Sequence, residues 1–234
     1  MLEDILREGF HQLSIPCPDE TLQKFRLYYT LLEERNRQMN LTAISGERDV
    51  AVLHFLDCAA VLPFLPGGAL TVLDLGSGAG FPGLVLKLLR PELCLTLVDS
   101  TRKRVDFLHE AAELLELQDL SCLHLRAEDA PVHMRGAYDV VVSRAVARLN
   151  ILAELGLPFL REGGLFCAMK GPGAEEEVRE SVNAFQVLNA AKPQLIVYSV
   201  PGLDAGRTLV SAVQLKAVPK TYPRPFAQIR KRSL

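Results

Sequence analysis

The stretch 69–83, Ala-Leu-Thr-Val-Leu-Asp-Leu-Gly-Ser-Gly-Ala-Gly-Phe-Pro-Gly, constrains the fold of this chain more than any other. Leu70 to Leu75, interrupted only by Thr71 and Asp74, reads as a buried parallel strand. Gly76, Gly78 and Gly80 then permit a turn in which the backbone itself touches a ligand. Pro82 suits the first turn of a following helix, where its missing N–H costs nothing. Strand, glycine loop and helix together predict a ligand site at the carboxyl edge of a doubly wound α/β sheet.

The spacing of the glycines bears on which ligand. A dinucleotide fingerprint needs a glycine at the sixth position, and Phe81 stands there instead. Asp74, two residues before the first glycine, would repel a pyrophosphate and favour a ligand carrying an ammonium group. S-adenosylmethionine has that group and no phosphate. Methyltransferase chemistry is thus the better match, with a nicotinamide dehydrogenase as its rival. The next strand, Leu93 to Val98, ends in Asp99, roughly twenty residues past Gly76, where a carboxylate can grip ribose hydroxyls. A third strand, Ser121 to Leu125, leads into Arg126-Ala127-Glu128-Asp129. The Ala127 amide and the carboxylate of Glu128 or Asp129 can read an adenine edge there. Either acid alone is an ordinary solvated loop residue; three sites in series after three strands are not.

The chain before this domain is helical. Leu22, Phe25, Tyr29 and Leu32 recur at helical spacing. A second helix, Glu47 to Leu62, is apolar on all sides, which predicts burial on both faces. Within it His54 and Asp57 share a face, either as a buried pair bonded to each other or as part of the site. Beyond Leu70 strands and helices alternate, as in a parallel sheet with right-handed crossovers. A helix over Thr101 to Leu117 opens with Arg102, Lys103 and Arg104 at the positive end of its dipole. Such local conflict marks functional ground, and the cations suit a phosphate backbone. The strand Tyr138 to Val142 delivers Arg144 to the cleft, and the strand Gly163 to Met169 delivers Lys170. A helix over Glu175 to Ala190 precedes Gln194–Val200 and Thr208–Leu215, which read as a terminal antiparallel hairpin, a feature that separates methyltransferase-like sheets from dehydrogenase sheets.

With 234 residues, 49% of them apolar, the chain can bury a large core. No apolar run reaches the ~18 residues of a membrane span, and the acidic opening Met1-Leu2-Glu3-Asp4 is not that of a signal peptide. Five cysteines without a C-x-x-C pair, three of them (Cys94, Cys122, Cys167) in predicted strands, point to buried free thiols and a reducing cytoplasm. No metal site is indicated. The net charge of −2 hides an asymmetry. Residues 205–234 hold Arg207, Lys216, Lys220, Arg224, Arg230, Lys231 and Arg232 and no acid, so an acidic body ends in a basic tail suited to a polyanion.

Several pieces together resemble one known family. They are Asn40-Leu41-Thr42, His54-Phe55-Leu56-Asp57, the loop from Asp74 to Gly83, Asp99 with Lys103-Arg104, Ala127-Glu128, Ser143-Arg144-Ala145, Lys170-Gly171 and Tyr222-Pro223-Arg224. The combination, from about Asn40 to Arg224, resembles the bacterial small-subunit ribosomal RNA methyltransferase G family, also called glucose-inhibited division protein B. The resemblance implies a Rossmann-like class I methyltransferase fold: a mostly parallel seven-stranded sheet with an antiparallel terminal strand, plus an N-terminal helical extension. It implies transfer of a methyl group from S-adenosylmethionine to ring nitrogen 7 of a guanine near the decoding centre of 16S rRNA. It further implies cofactor contacts from Gly76, Phe81, Ala127, Glu128 and Arg144. Pro225 to Leu234 departs from the family pattern, lacking the glycine and prolines usual after Tyr-Pro-Arg.

These readings give an extension over 1–66, a methyltransferase domain over 67–218 and a basic tail over 219–234. The expected cofactor-binding residues are Asp74, Gly76, Gly78, Gly80, Phe81, Asp99, Ala127, Glu128 and Arg144. Arg144, His54 and Asn40 are expected to position substrate, and Lys103, Arg104, Lys170 and Arg224 to bind RNA. A monomer acting on 16S rRNA or the small subunit in the cytoplasm is the expected state. A small-molecule methyltransferase, which would not need the clustered cations, and a cofactor-responsive RNA-binding regulator are the alternatives.

Overall fold

A computed structural model describes residues 1–234 as one seven-stranded sheet with helices on both faces. The strands are β1 (Thr71–Leu75), β2 (Cys94–Asp99), β3 (Leu120–His124), β4 (Tyr138–Arg144), β5 (Leu160–Lys170), β6 (Gln194–Tyr198) and β7 (Arg207–Val213). They lie in the order β3-β2-β1-β4-β5-β7-β6. All neighbours are parallel except β7, which runs antiparallel to both β5 and β6. After β1 the chain winds outward through β2 and β3, then returns to place β4 on the other flank of β1. That reversal is the switch point outside which α/β sheets bind ligands.

Successive strand residues point to opposite faces, so each strand feeds two cores. Val72, Val140, Val142 and Cys167 pack into one, with α1 (Leu2–Gln12), α2 (Asp19–Met39), α5 (Gly83–Leu89) and α6 (Arg102–Leu114). Leu73, Val141, Phe166 and Ala168 pack into the other, with α7 (Leu149–Gly156), α8 (Ala174–Val187) and α9 (Phe226–Lys231). The N-terminal helices and the sheet share the first core. The C-terminal segment joins the second through Ile229, which is fully buried.

The helix expected over 47–62 is segmented: α3 (Glu47–Val50), a π-helical stretch over Ala51–Leu56, and α4 (Asp57–Ala59). Every residue from Val50 to Val61 except Leu53 is buried, because this element is wedged between α1–α2 and the sheet. Two further helices and one ring differ from expectation. Helix α1 carries Leu2, Leu6 and Phe10 on one face, and α9 is a helix within the presumed tail. Tyr28, one residue before Tyr29, is the ring that faces inward along α2. Cys94 is exposed at the start of β2, whereas Cys122 and Cys167 are buried as expected; all five thiols are free. No helix is long and apolar enough to cross a membrane.

Candidate active site

The glycine loop is tied down before any ligand is considered. Gly76 and Ser77 donate N–H bonds to Val98 O at 2.8 and 3.0 Å, and Ser77 Oγ donates to Asp74 O at 2.9 Å. The fully buried Tyr28 hydroxyl donates to Ala79 O, so the N-terminal extension shapes the loop. Gly76, Gly78 and Gly80 all have positive φ. A Cβ on Gly76 would lie 2.3 Å from Val146 Cγ2, while one on Gly78 would meet nothing nearer than 3.9 Å. Gly78 is the point where a ligand can approach bare backbone.

Asp74 is fully buried. One oxygen accepts the Gly83 N–H at 2.8 Å, holding the start of α5, and the other, Oδ1, has no partner. Burial raises its carboxyl to about 7, opposed by the Gly83 bond and Arg144. Asp99 is nearly buried too, accepting N–H bonds from Gly78 at 3.0 Å and Thr101 at 2.8 Å. It also lies 3.5 Å from Arg104. The conflict at the start of α6 is thereby partly resolved, because Asp99 supplies the acid the dipole favours. Arg102 pairs with Asp106, and Lys103 is exposed.

Two cavities open along the carboxyl edge of the sheet. The first, about 240 Å³, is lined by Gly76, Asp99, Ala127 and Glu128 together with Leu125, Leu155 and Phe226. Its polar residues follow β1, β2 and β3 in turn. The second, about 460 Å³, is lined by Arg144, Arg148, Lys170 and Arg207 and by Asp57, Glu177 and Tyr198. Val146 borders both.

Arg144 is the centre of a bonded cluster. Nη1 donates to Leu53 O at 3.0 Å and Asp57 Oδ2 at 3.2 Å, and Nη2 donates to His54 Nδ1 at 2.7 Å. Because Nδ1 accepts, His54 carries its proton on Nε2 and donates it to Thr42 Oγ1 at 2.8 Å. Burial first, then Arg144, lowers the His54 pKa to about 3, so the ring is neutral. His54 stacks on Phe81 with centroids 4.2 Å apart, and the guanidinium lies 5.0 Å above the same ring. His54 and Asp57 therefore do not bond to each other; Arg144 stands between them. Of five guanidinium N–H groups, Nε–H and one on Nη2 are left for a ligand. Phe81 turns its side chain into this packing, leaving its backbone for the loop.

The remaining expected residues divide. Lys170 donates to Ala147 O and Glu177 Oε2, both at 2.7 Å, at the edge of the second cavity. Arg224, expected to bind RNA, is engaged within the protein. Its guanidinium grips both oxygens of the fully buried Glu154 at 2.8 and 2.5 Å, and its N–H adds a bond at 2.9 Å. A carboxylate in that position demands a partner, and the folded-back tail provides one. Asn40 is the left-handed cap of α2, exposed and outside both cavities; its neighbour Thr42 reaches the cluster instead. Tyr198, whose hydroxyl donates to Asp57 Oδ1 at 3.3 Å, and Arg207, which forms an ion pair with the same oxygen at 3.3 Å, are not legible as site residues in the sequence. The usable signal is direction: β7 runs against β5, so its first residue lies at the ligand edge.

This geometry has known counterparts. Residues 21–206 match the profile of rRNA small subunit methyltransferase G (GidB). The chain belongs to that family. A protein named ribosomal RNA small subunit methyltransferase G from Pelotomaculum thermopropionicum is 41% identical, with 100% of this chain and 99% of the relative covered. One of the same name from Clostridium botulinum (strain Loch Maree / Type A3) is 38% identical over 97% of each chain. Among solved structures, a methyltransferase from Pyrococcus furiosus aligns with TM-score 0.58 at 12% identity, covering 81% of this chain and 98% of that one. A Thermus thermophilus 16S rRNA methyltransferase crystallised with S-adenosylmethionine and guanosine aligns with TM-score 0.50 at 24% identity, covering 78% and 43%. These two show the fold.

The family is one of S-adenosylmethionine-dependent methyltransferases, and the residues here fit that cofactor. The orphaned Asp74 Oδ1 and the open approach at Gly78 suit a cationic amino-acid end without phosphate. The first cavity, with acids after β2 and β3, suits a nucleoside.

Proposed function

We propose that the protein methylates ring nitrogen 7 of a guanine in 16S rRNA, the base entering the second cavity while the first holds the cofactor. The observation that carries this is the pair of adjoining cavities, one acidic and loop-lined, the other bordered by Arg144, Arg148, Lys170 and Arg207. When bound, S-adenosylmethionine supplies an electrophilic methyl group. Ring nitrogen 7 has a free lone pair in neutral guanine, so this chain needs no general base. The imidazole bonded to Arg144, His54, is fully occupied by Arg144 and Thr42.

The protein's contribution is then alignment. Arg144, locked by Leu53, Asp57 and His54, offers its two free N–H groups from the side of the base. A cation facing the attacking nitrogen would oppose the positive charge of the product. Lys170 and the arginines steer the phosphate backbone. In an RNA duplex this nitrogen lies in a groove too narrow for side chains, so an unstacked loop guanine is the substrate. Action as a monomer in a reducing cytoplasm completes the proposal, and the five free thiols fit that compartment.

The test is transfer of labelled methyl to small subunits, or to their naked RNA, from a strain lacking this protein, with mass mapping of the modified base. Label on a single guanine, released by the chemical cleavage specific to 7-methylguanine, is the expected result. Label on an exocyclic amine or on protein would sink the reading.

A further inference from the structure

The C-terminal segment is not free, and it ends at the cofactor cavity. Arg135 holds it by donating to Tyr222 O at 2.6 Å and Val218 O at 3.3 Å. Arg224 clamps it to the buried Glu154 of α7. Ile229 seals it into the second core. Between the clamp and the seal lies Phe226, partly buried, which lines the first cavity beside Leu125, Ala127 and Leu155. It is the only aromatic side chain in that lining and the only lining residue from beyond Leu155.

We propose that Phe226 is the adenine-stacking wall of the cofactor site, delivered there by the Arg224–Glu154 clamp. The inference rests on the cofactor assignment above and extends it to a segment outside the family match, which ends at residue 206. Each other wall of the cavity is aliphatic or polar, and a flat purine gains most from a flat partner. If core packing alone were its purpose, this ring would be as buried as Ile229, three residues further along the same face of α9. Instead it stays part exposed at the turn where the Ala127 amide and Glu128 are placed to read the adenine edge. The departure of Pro225–Leu234 from the family pattern thus falls on the segment that closes this site.

Calorimetry with S-adenosylhomocysteine and with 5′-methylthioadenosine, which lacks the amino-acid end, tests the proposal without any RNA. Phe226→Ala should weaken both ligands by the same factor, about tenfold, as for one lost base–aromatic stack. Phe226→Tyr should stay within about twofold of the parent protein. Phe226→Leu keeps the apolar bulk without the flat face, so it should keep the apo melting temperature and still lose affinity. Full affinity in the leucine protein, or loss confined to the ligand with the amino-acid end, overturns the stacking role. Failure of the parent protein to bind either compound overturns the cofactor assignment and this inference with it, whereas parent-like binding by Phe226→Ala overturns the inference alone.

Discussion

The two cavities share one sheet edge and one residue, Val146, yet they are built from different materials. The first is made largely of backbone and short loops, with Asp99 engaged by N–H groups of its own chain. The second is made of long charged side chains held by one another: Arg144 and Arg207 on Asp57, Lys170 on Glu177. A small ligand of constant shape is best matched by rigid backbone, which reorganises little. A polyanion of variable conformation is better met by charge, which acts at a distance and is screened by salt. The two halves of the site should therefore fail in different ways.

The largest effect is expected on the backbone side. Gly78→Arg fills the one open approach at a residue with φ of +59°, so binding of S-adenosylhomocysteine should vanish in calorimetry while the fold survives. If affinity persisted, the loop would not be the cofactor cradle. Next comes Arg144, in the lining of the second cavity. Arg144→Ala should lower methyl transfer by about a hundredfold, the scale of a misplaced reacting group. Arg144→Lys should do almost as badly, because an ammonium cannot reach Leu53 O, Asp57 and His54 while still offering two donors. Rescue by lysine would reduce the role to simple charge.

The charged side should fail gradually. Lys103→Gln with Arg148→Gln removes an exposed cation at the start of α6 and one at the rim of the second cavity, the latter paired with Glu180. The slope of log affinity for RNA against log salt should fall by up to about two, near 0.7–0.9 per phosphate contact. Cofactor affinity should not change. Arg104 is left in place because it lies 3.5 Å from Asp99 in the lining of the first cavity, where its loss could disturb cofactor binding. An unaltered slope would remove these side chains from the RNA path.

The smallest effect near neutral pH belongs to His54, which belongs to neither half. Its folded pKa of about 3 lies below that of a free imidazole. The unfolded chain thus binds a proton that the folded chain refuses between about pH 6.5 and 3. Stability should fall as pH drops through that window, and the fall should be shallower in His54→Gln. Equal acid sensitivity in both proteins would show that the ring is not held neutral by the cluster.

Much of the cofactor half was legible in the sequence because each of its residues follows its own strand. Asp74 to Gly80, Asp99 and Ala127-Glu128 are placed by the local strand-to-loop rule, with no need to know which strands pair. The substrate half was only partly legible. Arg144 and Lys170 follow their strands, which is enough to put them at the carboxyl edge, whereas Tyr198 and Arg207 depend on the direction of β6 and β7. The engagement of Arg224 leaves no sign in the sequence, because its partner, Glu154, lies 70 residues away and buried charge leaves no local signature.

By itself, then, the order of apolar runs, glycines and strand-end acids determined the α/β class and the site's edge, and favoured S-adenosylmethionine over a dinucleotide. Periodicity and turn chemistry act over a few residues, and those features are local. Tertiary structure alone decided that His54 and Asp57 grip Arg144 and not each other, and that Tyr28 fastens the glycine loop. It also decided that the basic tail folds back to bring Phe226 to the cofactor cavity. Each of those pairings joins groups distant in sequence, and what selects them is the cost of leaving a buried charge or polar atom without a partner.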